Sequence, residues 1–68
     1  MQEFEAGERI GRWVVLVDVD GRLHALNGNS IQGVSQDDTD PGECVVTVSG
    51  GRMLRIPVPF GRVLEWLR

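Results

Sequence analysis

Lysine is missing from this 68-residue chain: all seven basic side chains are arginine, set against ten Asp and Glu for a formal charge of −3. No basic tract appears, and affinity for a phosphate backbone comes mostly from neutralising it with Lys and Arg, so the composition argues against a nucleic-acid partner. Cys44 is the only cysteine, which excludes an internal disulfide; with His24 as the only histidine, no zinc-ligand spacing is available either. A single thiol fits a reducing compartment. No apolar run approaches the roughly 20 residues that span a bilayer, and Met1-Gln2-Glu3-Phe4-Glu5 lacks the basic start of a signal peptide. These absences point to a cytoplasmic protein without a membrane span.

A chain of this length buries only about 60% of the surface that its unfolded form exposes, so one domain with a marginal core is expected. With disulfides and zinc excluded, oligomerisation is the remaining common way to stabilise so small a scaffold.

What is present is mostly strand material. Residues 1–9 are acidic and weakly patterned, and read as a flexible N-terminal arm, ordered where Phe4 finds apolar contact; residues 10–68 read as one small domain. Trp13 to Val19 is almost unbroken β-branched and aliphatic sequence, expected to form a strand apolar on both faces: Trp13, Val15, Val17 and Val19 on one, Val14 and Leu16 on the other. Asp20-Gly21 then suits a two-residue type I′ turn into a return strand, Arg22 to Leu26, closed by Asn27-Gly28-Asn29-Ser30. A third strand over Ile31–Ser35 carries Gly33, a residue that inside a strand often marks a bulge. Gln36 to Glu43 is an acidic loop with no period, expected to be mobile. Cys44 to Ser49 alternates cleanly, and Gly50-Gly51 turns the chain back into Arg52–Val58.

Pro57 and Pro59 cannot donate ladder hydrogen bonds, so the last strand is expected to be an edge or to leave the sheet near Ile56. Pro59 suits a helix start, and Phe60, Val63, Leu64 and Leu67 then follow one helical stripe. So short a helix is marginal in water and must be held by packing. The fold class is therefore mainly β: a small antiparallel sheet or partly open barrel of about five strands with a short C-terminal helix.

Residues 20–67 resemble the small flagellar proteins called FlbD or SwrD: the Asp20-Gly21 turn, a strand ending Leu26-Asn27, then Ile31, Val34, Val46, Val48, a hairpin at Gly51-Arg52, Ile56, and a terminal Phe60-Val63-Leu64. The chain departs from that pattern at Val58, where the family has a polar or acidic residue. It also departs in the Pro57/Pro59 pair, and in the hydrophobic strand 13–19 ahead of the turn. The resemblance implies a non-enzymatic cytoplasmic accessory of the bacterial flagellar motor, and it brings no catalytic residues.

The residues offer little chemistry. His24 and Cys44 are the only candidates for a base and its nucleophile, and the proposed pairing turns His24 away from Leu23 and Ala25 into solvent. A lone buried cysteine ordinarily acts as a small hydrophobe. Asp18-Val19-Asp20-Gly21 and Asp38-Thr39-Asp40-Pro41-Gly42 echo fragments of calcium loops, but neither has the closing Glu and flanking helices of an EF-hand; a turn and a solvated loop explain them. Ser49-Gly50-Gly51-Arg52 could cradle a phosphate, yet a Gly-Gly hairpin needs no ligand. No catalytic, cofactor-binding or metal residue is assigned, and no cofactor is expected.

The apolar surplus is more informative. One short helix can cover one face of a small sheet, so Trp13, Val14, Leu16, Met53, Phe60 and Trp66 are the candidate interface residues, unless a closed barrel buries them internally. The expected function is a protein-interaction module that associates with itself and with another protein. Two alternatives stand beside it: a phage- or plasmid-encoded inhibitor of a host protein using the acidic loop 37–43, and a small nucleic-acid-binding barrel. A gel shift with mixed DNA and RNA at low salt should show no retardation; a complex that weakens steeply with salt would restore the nucleic-acid reading.

Overall fold

A computed structural model describes residues 3–68. These residues form six strands: β1 (Arg9–Ile10), β2 (Trp13–Val17), β3 (Leu23–Asn27), β4 (Ile31–Gln36), β5 (Cys44–Val48) and β6 (Arg52–Ile56), followed by helix α1 (Phe60–Trp66). They make two three-stranded antiparallel sheets, ordered β1-β2-β3 and β4-β5-β6, which do not close into a barrel. A single 3₁₀ turn at Gly28–Ser30 carries the chain from one sheet to the other, with the Asn27 side chain accepting the Asn29 amide. The sequence reading of a mainly β domain with a C-terminal helix holds.

The core lies between the sheets and under the helix. Val14 and Leu16 enter from the first sheet, Cys44, Val46, Val48, Leu54 and Ile56 from the second, and Val63 from α1. The clean alternation of β5 explains its contribution, since period-two spacing puts Cys44, Val46 and Val48 on one side. Their partners Ile56, Leu54 and Arg52 sit directly opposite on β6.

Three local details differ from the simplest sequence expectation. The first hairpin does not use a type I′ turn, because no non-glycine residue among those described has positive φ and Asp20 therefore stays out of the left-handed region. Instead Asp18 and Arg22 close a three-residue loop through the Asp18 amide and the Arg22 carbonyl, with Gly21 alone at φ 83. Strand β2 accordingly stops at Val17 rather than Val19. In β4 the register shifts between Ile31 and Gly33, so the extra residue is Gln32, beside the glycine that signalled it.

Strand β6 ends at Ile56, as the prolines require, and its outer edge receives one bond from the first hairpin, Val19 amide to Arg55 carbonyl at 3.0 Å. Pro59 is the N-cap of α1, and its carbonyl accepts the Val63 amide. The helix is rolled from the expected stripe: Val63 is fully buried, Phe60, Trp66 and Leu67 pack partly against the core, and Leu64 is exposed. Trp66 turns inward because it has a surface to rest on. Gly7, at φ 87, lies flat beneath its indole, where an added Cβ would overlap the ring.

Arg9 completes this clasp by donating from one guanidinium nitrogen to the main-chain carbonyls of Trp66 and Arg68 at the end of the helix. The Gly7→Ala substitution is expected to cost about 2 kcal/mol or more, combining left-handed strain with overpacking against Trp66. Gly28→Ala, with open space at its Cβ and no positive φ, serves as control. Urea unfolding of both variants is the measurement, and equal midpoints would show that the Gly7–Trp66 contact carries no stability.

Candidate interaction surface

The register of the first sheet sorts its side chains into two faces. Val14 pairs with Leu26 and Leu16 with His24 on the core side; Trp13 pairs with Asn27, Val15 with Ala25 and Val17 with Leu23 on the other. Ile10 lies opposite Trp13 and joins that outer face. Ile10, Trp13 and Leu23 remain 44%, 49% and 53% exposed, so the sheet presents a cluster of large apolar groups to solvent. Between them lies a hollow of about 250 Å³ lined by Phe4, Ile10, Trp13, Val15, Leu23 and Ala25, with His24 at its margin. A second hollow continues it past Leu23 and Val17 to Gly21, and there Glu3 and Glu5 add an acidic rim.

The six interface candidates separate on this surface. Trp13 stands in the apolar cluster. Val14 and Leu16 do not: both are buried core residues, so neither is offered to a partner. Met53 is 71% exposed but stands alone on the outer side of the second sheet, across from Thr47 and two residues from Arg55. Phe60 and Trp66 are half-buried against the core. Ile10 and Leu23 are not among the sequence candidates, and Phe4, expected to find apolar contact somewhere, finds it on this face. The signal for Leu23 was the hairpin loop length, because adding one loop residue brings Leu23 to the same face as Trp13 and Val17. Ile10 and Phe4 lie where the sequence shows no period.

The same one-residue difference corrects the placement of His24. It faces the core side opposite Leu16 and is half-buried, with Nε2 lying 2.7 Å from Asp18 Oδ2. Because a carboxylate only accepts, the imidazole donates from Nε2. The other Asp18 oxygen accepts the Asp20 amide at 2.9 Å and the Arg22 amide at 3.0 Å. Both Asp18 oxygens are thus engaged by the chain's own donors. The His24 bond, aided by the Arg22 amide, holds the Asp18 carboxyl below the usual carboxylate range.

Cys44 is fully buried opposite Ile56, and burial raises its thiol above the ordinary value, away from the reactive thiolate. Among the described residues, no three His, Cys, Asp or Glu side chains gather in a way that could hold a metal ion.

The acidic loop, expected to be mobile, is heavily bonded. Asp37 Oδ1 accepts the Thr39 amide and hydroxyl at 2.8 Å each, and the Asp40 amide at 3.2 Å. Asp40 in turn accepts the Gly42 amide, and the Asp37 amide meets the Glu43 carbonyl. Arg55, reaching across from β6, pairs with Asp37 and with Glu43. The Thr39 hydroxyl and amide, together with Arg55, push the Asp37 carboxyl far below its usual range.

Comparison with protein-family models, curated proteins and solved structures gives no match.

The depressed Asp18 and Asp37 carboxyls set an acid limit on stability. Each is ionised more readily in the fold than in the unfolded chain, where Asp titrates at about 3.9, so their contribution is complete above that value and is lost as pH falls through the lower folded values. Calorimetry should show a midpoint nearly constant from neutral pH to about 5, then falling. An Asp37→Asn variant should melt lower at neutral pH and approach the parent as pH drops. A gap between them that ignores pH would mean that the Asp37 charge is irrelevant to folding.

Proposed function

We propose that this protein is a non-enzymatic interaction module that uses the outer face of its first sheet to associate with itself and to dock onto another protein. The observation that carries this reading is the cluster of Ile10, Trp13 and Leu23, all more than two-fifths exposed, around an apolar hollow. Scattered exposed apolar residues are ordinary, but adjacent ones around a concavity are a typical binding feature, and tryptophan is among the side chains that carry most interface energy.

Other features support the reading indirectly. The candidate nucleophile and base have structural occupations, Cys44 in the core and His24 on Asp18. Two arginines are already spent, Arg9 on the end of α1 and Arg55 on the acidic loop, which thins a surface already short of positive charge for nucleic acid. No helix among the described residues is long and apolar enough to cross a membrane. The FlbD/SwrD resemblance gives the specific form of the proposal, a cytoplasmic accessory of the flagellar motor.

Leu23→Asp is the direct test, since an exposed position tolerates the charge while the docking face loses its apolar character. Sedimentation equilibrium is expected to show self-association in the parent and an affinity weakened by about tenfold or more in the variant. A parent that stays monomeric at every concentration, with Trp13 no better shielded when concentrated, would remove the self-association claim.

A further inference from the structure

Phe4 is the one large apolar side chain in residues 3–8, and it lines both hollows on the outer face of the first sheet. It is half-buried there, against a floor that includes Val15, which is only 5% exposed although it points away from the core. The segment that carries it is not a strand. Among the described residues, the main-chain bonds that join this segment to the sheet begin at Gly7, whose amide reaches the Val15 carbonyl at 2.7 Å, and Glu8, whose carbonyl accepts the Val15 amide at 2.9 Å. Upstream of Gly7 the polar contacts among the described residues are internal to the segment: the Glu5 amide with the Glu8 carboxylate, and the Glu8 amide with the Glu5 carbonyl. Gly7 itself is pinned under Trp66. Among the described residues, 3–6 are therefore a short lever on a fixed pivot, with the Phe4 ring resting on the sheet as part of the wall of the apolar hollow.

We propose that this segment is an intrasteric plug: Phe4 occupies in cis the position on the Ile10–Trp13–Leu23 face that an apolar anchor from a partner chain takes, and the partner binds by displacing it. The proposal rests on the outer face being the docking surface. It adds the regulation of that surface and the class of anchor it accepts, an aromatic or large aliphatic side chain. A plug held by side-chain packing alone lowers apparent affinity by the fraction of time it is seated, and no backbone ladder has to break for it to leave.

The experiment uses the full-length chain and its Phe4→Ala variant, with the apolar dye 8-anilinonaphthalene-1-sulfonate as probe. If the plug is real, the variant keeps the parent's circular dichroism and cooperative melt, and binds the dye about tenfold more tightly. A second substitution, Leu23→Asp, added to Phe4→Ala abolishes that gain. Equal dye affinity in parent and Phe4→Ala, abolished in both by Leu23→Asp, would overturn the plug while leaving the docking face standing. Dye binding unaffected by Leu23→Asp would place the apolar site elsewhere and sink both. If Phe4→Ala melts non-cooperatively, Phe4→Leu is the second variant. It covers less of the outer face, so the plug requires dye affinity between parent and alanine levels with the melt intact; an unfolded Phe4→Leu chain would make Phe4 a core residue and end the proposal.

Discussion

The Asp18 carboxylate is the contact on which the arrangement of the first sheet depends. One oxygen gathers the Asp20 and Arg22 amides and the other takes His24, so the loop closes around three residues rather than two. That single residue of loop length sets the pairing Val17 to Leu23 and carries through to Trp13 and Asn27. Because side chains alternate across a strand, a slip of one position would turn the whole face of β3 over. Leu26 would leave the core, and Leu23 would leave the outer cluster. The two faces of the first sheet, one turned to the interior and one to solvent, are thus assigned at a tight turn far from most of the residues involved.

With the faces assigned, the core is small and shared. Two strands' worth of side chains from the second sheet meet two from the first and one from the helix, which suits a chain too short for a larger interior. Covering both sides of the first sheet is beyond its means. Phe4 covers part of the outer side, and the rest, around Trp13 and Leu23, stays open.

Much of this was legible in the residues, for identifiable reasons. The alternation in Cys44–Val48, the Gly50-Gly51 reversal, the exit at Pro57 and the start at Pro59 are local signals, and each element formed where its signal lay. The composition of the Asp20-Gly21 turn was equally local but ambiguous, since the same dipeptide serves loops of two and three residues, and the choice between them was made by the Asp18 side chain. That is why the sequence expectation turns His24 out of the interior; Val14 and Leu16 count there as surplus for a different reason, that their cover is a second sheet built from residues distant in sequence. The acidic loop looked repulsive and unpatterned because its partner, Arg55, is distant in sequence. Strand β1 and the seat of Phe4 were invisible for a similar reason: two residues or one make no period, and only the folded sheet supplies their contacts.

The clasp between the ends of the chain has a consequence for how the molecule comes apart. A seven-residue helix does not persist alone in water, and here its last turn leans on Gly7 and is tied to Arg9. The stretch bearing those two residues is in turn hydrogen-bonded along β2. Opening at Gly7–Arg9 therefore strips the support from the last turn of α1, and loss of that turn bares Gly7 and frees Arg9, so the two stretches open as one cooperative unit, with β5 and β6 able to outlast them.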